Sequence, residues 1–307
     1  MQICHTLPGL QLALQHATPP ERNALEKKIR AVEQHHRVLR LQRQAYIGEK
    51  ASIAPGVVVV SMDYTKLSLP DLSMFVDFIL VLDFVRDGIP RRCYVDLIAI
   101  SEKTNVFYII EGMNFLFQQT AIFAPFSRLL MWSDGSSKEF KNRFVQRFFS
   151  FLSALYGRTC EYSYFASHHG KSLCDSHAYH VKHAVTKLFL QKERDLGLHL
   201  AHHPHPEGCL EAQHLFDVNV DEVIGAVSSH VSNTFAFKMP PIKKDSMWKD
   251  QCKKLRGIKS MHSFKYSISV SGSQAAATIH LAECNGAPEK LTFTNYCQLN
   301  VGGTESR

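Results

Sequence analysis

Three aspartates in this 307-residue chain have the residue type and the placement that metal-dependent chemistry needs. Asp63 ends a β-branched run over residues 57–63, Asp134 ends an apolar run just before Gly135, and Asp175 lies near the start of a predicted helix. Carboxylates that converge repel one another, and a hard divalent cation, Mg²⁺ or Mn²⁺, relieves that repulsion through oxygen ligands. Two such ions about 3.5–4 Å apart would clamp the attacking and leaving oxygens of a phosphoryl displacement. The three aspartates are therefore candidate metal ligands and catalytic residues.

Each aspartate also has an ordinary structural explanation, and these alternatives stay open. Asp63 would end its strand and hydrogen bond to the next turn, Asp134 would belong to an Asp-Gly turn, and Asp175 would cap a helix. Taken singly, each alternative is favoured. Taken together, on the first strand, a later strand and the last helix of one folding unit, the three acids favour a common site, because ligand sites form outside the carboxyl ends of parallel strands.

The predicted elements place these acids in an α/β fold. Alternation of period two predicts strands and spacing of three and four residues predicts helices. The predicted order is a helix over 19–46, strands over 57–63, 75–84 and 92–100, a helix over 105–120, a strand over 129–135, a helix over 138–156, a strand over 160–166 and a helix over 175–196. This order predicts a ribonuclease H-like mixed sheet flanked by helices. A turn at Asp87-Gly88-Ile89-Pro90 predicts that the second and third strands form a hairpin.

Composition shifts divide the chain into three predicted domains. Residues 1–52 form an N-terminal helical segment, residues 53–198 form the ribonuclease H-like catalytic domain, and residues 199–307 form a small α+β accessory region with a basic stretch. The last region begins with the proline-broken linker 199–208, followed by a predicted helix over 222–232 and short strands from residue 264 onward.

Several short motifs occur in one order along the chain. They are Trp132-Ser133-Asp134-Gly135, Lys138-x-Phe140-Lys141, Phe165 and Ser167, and His169-Gly170-Lys171-x-x-Cys174-Asp175. From Asp63 to about residue 182, this pattern resembles the catalytic core of eukaryotic transposase-derived proteins of the DDE/DDD group, whose fold is ribonuclease H-like. The resemblance matches Asp63, Asp134 and Asp175 to the three acids. It implies Mg²⁺- or Mn²⁺-dependent cutting and joining of DNA at transposon ends, in the nucleus, and it allows a homo-oligomer.

The chain also departs from that pattern. Ser136-Ser137 follows Asp134-Gly135 where relatives often have Gly and Pro or Ala, and Ser176-His177-Ala178 replaces the small residues that commonly follow the third acid. No paired-cysteine zinc motif precedes the core. These differences weigh against autonomous transposition more than against the fold. A catalytically inactive DNA- or protein-binding descendant stays open as the alternative, as does an unrelated nuclease of the same fold.

Basic and histidine residues supply the predicted contacts to substrate. In the loop before Asp175, His169 would contact the scissile phosphate or protonate a leaving group, or would instead pack around the turn at Gly170, and His168 is not assigned a role. The basic stretch 243–259 would neutralise DNA phosphates, or would be a solvated surface. The predicted DNA contacts are Lys138, Lys141, Lys171, Lys243, Lys244, Lys253, Lys254 and Arg256.

Composition excludes some other classes. The formal net charge of +7 permits a polyanionic partner without requiring one. The sequence contains no run of eighteen uncharged apolar residues, so a membrane span is not predicted. The eight scattered cysteines and the absence of a secretory signal predict an intracellular protein with reduced thiols. A zinc site at Cys174, His177, His180 and His183 is disfavoured, because steps of three keep only neighbouring pairs on one helix face. Cys174 as a nucleophile lacks an identifiable base.

Overall fold

A computed structural model of the protein describes residues 6–68, 74–100, 106–136, 139–166, 173–195, 219–241, 255, 258–271, 274–285 and 287–300. In chain order the elements are α1 (Leu7–Gln15), α2 (Pro19–Ala51), β1 (Val57–Ser68), β2 (Met74–Arg86), β3 (Ile89–Ile100), α3 (Val106–Gln119), β4 (Arg128–Ser133), α4 (Arg143–Ser150), α5 (Leu152–Tyr156), β5 (Thr159–Tyr164), α6 (Leu173–Asp195), α7 (Val220–His230), β6 (Thr234–Lys238), β7 (Ser263–Ser271), β8 (Gln274–Ala282) and β9 (Glu289–Asn300). None of the helices in these residues combines the length and the apolar character that a membrane span requires.

The chain folds into two compact units, each assembled from separated stretches. The first unit comprises Met1–Ile53, Leu130–Lys171 and Asp250–Arg307, and the second comprises Ala54–Leu129 and Ser172–Lys249. The predicted domains 1–52, 53–198 and 199–307 are continuous in sequence, and their boundaries stay a prediction.

The second unit is built on a mixed sheet. Strands β1, β2 and β3 pair antiparallel in that order, and β6 pairs with β3 in parallel. The β2–β3 hairpin turns at Asp87 and Gly88, which have positive φ angles of 54° and 73°. A two-residue hairpin turn with two positive φ angles matches the right-handed twist of its strands, and Asp-Gly is a preferred pair for it. The predicted hairpin and its turn are therefore confirmed.

Helices cover both faces of this sheet. Helices α6 and α7 pack on one face, where Leu67, Phe75 and Ile98 of the strands meet Val181 and Val185 of α6. Helix α3 packs on the other face, and Gly112 allows its close approach: a Cβ there would lie 2.8 Å from Leu97 Cδ1. The fold class is α/β with a mixed sheet flanked by helices, as predicted.

The first unit carries the other strands and the longest described helix. Strand β4 lies beside β5, which pairs antiparallel with β7, and β7, β8 and β9 continue antiparallel. Helix α2 extends to Ala51, beyond the predicted end near residue 46. Gln42 donates hydrogen bonds to the carbonyls of Tyr164 and His262, and Glu49 accepts one from Trp132 Nε1 at 2.6 Å.

The single helix predicted over 138–156 is wrong, since two short helices occupy part of this range. Helix α4 begins at Arg143 because Asn142 caps it, accepting hydrogen bonds from the backbone N–H groups of Phe144 and Val145. The helical spacing of phenylalanines is nevertheless a core pattern, because Phe148, Phe149 and Phe151 are buried. Helix α1 and strand β6 had no clear signal in the sequence.

Candidate functional site

Two of the three predicted acids line one open cavity in the second unit. Asp63 of β1 and Asp175 of α6 both face this cavity of about 170 Å³. Asp63 is half-buried and accepts a hydrogen bond from the backbone N–H of Tyr64 at 2.7 Å, whereas Asp175 is exposed. The fold therefore brings together two carboxylates that the sequence separates by more than a hundred residues.

Helix α6 presents two adjacent stripes of side chains. Cys174, Ala178, Val181 and Val185 face the sheet and are buried. Asp175, Tyr179 and Lys182 form the neighbouring stripe, at spacings of four and three residues, and line the cavity. Asp175 also lies in the first helical turn, where the helix dipole favours a negative charge, so its structural role as a helix-start acid is compatible with a role in the cavity.

The cavity places a cationic and an aromatic side chain beside its two carboxylates. Lys182 lies two turns after Asp175 and is exposed. Tyr179 is 68% exposed and its ring is nearly parallel to that of His183, at a centroid distance of 6.5 Å. The described lining thus offers oxygen ligands for a cation, one ammonium for an anion and one accessible ring.

A buried polar cluster lies under the first turn of α6. His177 Nε2 is 3.0 Å from Asp96 Oδ1 and 2.9 Å from Asp96 Oδ2. His177 is 2% exposed and Asp96 is 0% exposed. The ring of Tyr94 stacks on the imidazole at a centroid distance of 4.2 Å with an interplanar angle of 2°. This arrangement makes His177 a core residue bound to a carboxylate.

Asp77 of β2 completes this cluster. It is fully buried, and it lies next to the carboxyl group of Asp96. Burial, and next the negative charge of Asp96, raise the pKa of Asp77 well above the ordinary value for an aspartate. Sequence reasoning did not assign a role to Asp77 or Asp96. The available signal was the presence of acids within two apolar strands, together with a histidine on the buried face of a helix.

Asp134 belongs to the first unit, where it follows β4 and is half-buried. Its charged neighbour is Lys141, which is 4% exposed and places its ammonium 5.2 Å from the ring centre of Tyr164. Burial lowers the pKa of Lys141 to about 8, and the negative charge of Asp134 opposes that shift. Asp134 is therefore in electrostatic contact with a buried cation, and its part in a common site with the other acids stays a prediction.

Among the described residues, no group of three or more His, Cys, Asp or Glu side chains is placed to hold a metal ion. In the zinc alternative, His177 contacts Asp96 while His180 and His183 are exposed. The other predicted site residues lie outside the described residues: His169, Lys138, Lys171, Lys243, Lys244, Lys253, Lys254 and Arg256. Their roles stay predictions.

A larger cavity of about 720 Å³ also lies in the second unit. Its lining is mainly apolar and includes Phe84, Phe126, Phe235 and Phe237. The described lining contains no carboxylate and no histidine. Cys93 and Arg86 are the ionisable groups of its described lining. Because two carboxylates line the smaller cavity, the candidate site is the cavity at Asp63 and Asp175.

Comparison with known proteins assigns this α/β chain to a family. Residues 98–271, more than half of the chain, match the family described as "Domain of unknown function (DUF8701)". The chain therefore belongs to that family. No curated protein matches it.

One solved structure is similar over part of its length, a crystal structure of NurA bound to dAMP and manganese. The two chains are 13% identical with a TM-score of 0.18, and the match covers 70% of this chain and 47% of the other. This chain therefore spans about half the length of that protein. A TM-score of this size assigns neither a fold nor an activity.

Proposed function

We propose that this chain is a metal-dependent nuclease and strand transferase acting on DNA, with a ribonuclease H-like core of the transposase kind. The observation that carries the proposal is the shared cavity of Asp63, on the first strand, and Asp175, in the first turn of a later helix. The antiparallel order β1, β2 and β3, with α6 on one face, supports the ribonuclease H-like arrangement.

Asp63 and Asp175 supply carboxylate oxygens to the same cavity, and these are ligands that a hard cation prefers. Mg²⁺ in proteins is commonly bound through one or two carboxylates, retains several waters and takes substrate phosphates as further ligands. Asp63 and Asp175 would hold the cation, and Asp134 stays a prediction as the third ligand. When bound, the cation would supply charge neutralisation for the phosphoryl group and a water of lowered pKa.

The remaining lining residues suit a nucleic-acid substrate. Lys182 would bind a backbone phosphate oxygen next to the scissile bond, since this residue lines the same cavity as both acids. Tyr179 would stack on an unpaired base, because an exposed aromatic ring beside a cation is typical of surfaces that bind single strands. The strand to be cut would therefore lie along the exposed stripe of α6.

DNA as the polymer, and the nucleus as the location, follow from the resemblance to transposase-derived proteins. The net charge of +7 is compatible with a polyanionic substrate and would make its binding sensitive to salt. A homo-oligomer stays a prediction.

The second candidate function is a DNA- or protein-binding module without catalysis. It is favoured by one observation: in the parts of the chain that the structure describes, three metal-ligating side chains do not converge. Such a protein would keep the fold and bind its partner without cutting it.

Plasmid nicking and oligonucleotide strand transfer with Mn²⁺ test the proposal. Wild type is compared with Asp63→Asn, Asp134→Asn and Asp175→Asn, and Asp195→Asn serves as the control because Asp195 is an exposed aspartate of the same helix. Loss of one cation ligand is expected to lower the rate at least about 100-fold, while the control keeps the wild-type rate.

The outcomes separate the candidates. A wild type that binds DNA without cutting it would establish the binding module. Equal rates for wild type, Asp63→Asn and Asp175→Asn would remove this cavity from the chemistry. Parallel assays with RNA and RNA–DNA hybrids determine which polymer is cut. A rate for Asp134→Asn equal to that of wild type would leave a site with two carboxylates.

A further inference from the structure

We infer that Asp96 and His177 are positioning residues, whose buried contact fixes the first turn of α6 and so holds Asp175 at the cavity that it shares with Asp63. The inference rests on the proposed function, because it concerns the use of Asp175 as a cation ligand.

The first turn of α6 is attached to the sheet at two polar points. Cys174 Sγ donates a hydrogen bond to the carbonyl of Ser61 on β1 at 3.5 Å. His177 contacts Asp96 on β3. Asp175 lies between these two attachments in sequence and on the adjoining stripe of the helix. A rotation of α6 about its axis would move Asp175 only by breaking both contacts.

The attachment to β3 is at the level of the cavity. In the sheet register, Ile79 of β2 pairs with Asp63 on one side and with Asp96 on the other. Residues in register across neighbouring strands point to the same face. His177 therefore reaches the sheet in the row that contains Asp63, and a shift of this contact along β3 would change the separation of Asp175 from Asp63.

Apolar packing turns the buried stripe of α6 towards the sheet, where Ala178 clusters with Ile79 and Val81. Apolar burial is not directional in itself, so this packing orients the helix face as a whole. The contact of His177 with both oxygens of Asp96 is directional, and the parallel ring of Tyr94 restricts the imidazole further. Since a buried polar contact of this kind adds little net stability compared with apolar residues, orientation explains its presence better than stability does.

The test measures Mn²⁺ binding by the full chain, using the metal alone, by isothermal titration calorimetry. Asp96→Asn and His177→Gln are expected to weaken Mn²⁺ binding about 10- to 100-fold, as changes to residues that orient a ligand do. Asp83→Asn is the matched control, because Asp83 is also buried and paired, with Arg92 at 2.7 Å, in the same hairpin. It is expected to bind Mn²⁺ within about twofold of wild type.

A double-mutant cycle distinguishes positioning from a general structural effect. If Asp96 acts through Asp175, then Asp96→Asn has no further effect on Mn²⁺ affinity in an Asp175→Asn background. Equal weakening in both backgrounds, or unchanged affinity of Asp96→Asn and His177→Gln, would overturn the inference. If Asp96→Asn does not fold, His177→Gln provides the same cycle. No Mn²⁺ binding by the wild type would overturn the proposed function and the inference with it.

Discussion

Asp77 on β2 and Asp96 on β3 are buried carboxyl groups on neighbouring strands. The residue paired with Asp77, Ile98, is two residues along β3 from Asp96. Asp77 pairs with Ile98 and Asp96 pairs with Ile79, so both side chains are on the face that α6 and α7 cover. Two ionised carboxylates at this position would be strongly unfavourable. The raised pKa of Asp77 keeps this carboxyl group neutral beside Asp96, whose oxygens His177 contacts.

The first prediction concerns the pH dependence of stability. Asp77 has a folded pKa well above its unfolded value of about 4, so the folded state holds a proton that the unfolded state releases as pH rises. The contribution of protonated Asp77 to the unfolding free energy is complete below about pH 4. It is lost as pH rises towards the raised pKa, by up to about 1.4 kcal/mol per pH unit. Asp77→Asn should therefore gain stability relative to wild type as pH rises from 4. Urea unfolding of both proteins at several pH values measures this, and a constant difference would contradict it.

The second prediction concerns loss of the buried histidine. His177→Ala leaves the Asp96 carboxylate buried without its partner, which typically costs about 3–5 kcal/mol of unfolding free energy. Tyr179→Ala, on the exposed stripe of the same helix, should change the unfolding free energy by less than about 0.5 kcal/mol. Chemical denaturation at pH 7 compares the two variants, and equal losses would show that the buried contact is not responsible.

The third prediction concerns the buried ammonium of Lys141. Its folded pKa of about 8 is below its ordinary value of 10.5, so the folded state lacks a proton that the unfolded state binds between these values. Stability should rise with pH over this window, by up to about 3 kcal/mol in total. Lys141→Met removes the titrating group. The variant's unfolding free energy, relative to that of wild type, should therefore be higher at pH 7 than at pH 10.5. Unfolding curves of both proteins at these two pH values test this directly.

The fourth prediction concerns the polar core of the first unit. The Gln42 amide donates to two carbonyls and accepts a hydrogen bond from Asn285 N at 2.8 Å. Gln42→Ala would leave these groups without partners, at a cost of about 3 kcal/mol. Gln44→Ala, at an exposed position on the same helix, should cost less than about 0.5 kcal/mol. An equal loss in both variants would show that the hydrogen bonds of Gln42 are not responsible.

Local signals predicted the parts of the fold that depend on neighbouring residues. The Asp-Gly turn at residues 87 and 88 determined the hairpin, and its register brings Asp83 opposite Arg92, where they form an ion pair. Alternation also placed Ser61 and Asp63 on one face of β1, and the Ile79 and Val81 partners share that face. These features follow from a few consecutive residues and the period of a strand.

The buried cluster could not be predicted in this way. In the sequence, Asp77 is an isolated acid that interrupts an apolar run, and its environment depends on which strands pair and where α6 packs. His177 is one of several histidines in the helix, and only the rotation of α6 distinguishes it from the exposed His180 and His183. These are long-range relationships, and residue type and spacing do not determine them.

The start of α4 shows a different limit. The phenylalanine spacing predicted a helix that includes Lys141 on its surface, but the Asn142 cap begins the helix at Arg143. Lys141 lies before that cap, and the backbone N–H groups of Phe140 and Lys141 both donate to the Ser136 carbonyl at 2.9 and 2.7 Å. A capping residue within a periodic pattern therefore changed the environment of a candidate DNA contact from solvent to core.

The contact between Asp96 and His177 also has a consequence for biosynthesis. His177 follows Asp96 by 81 residues in the chain, so the β2–β3 hairpin is translated well before α6, the helix that covers it. Until α6 is made, Asp77 and Asp96 remain hydrated. Ile79 and Val81, which α6 later covers, remain accessible to chaperones. A nascent chain arrested before residue 173 would carry an uncovered sheet face, which the quality-control machinery of a cell can recognise as an unfinished protein.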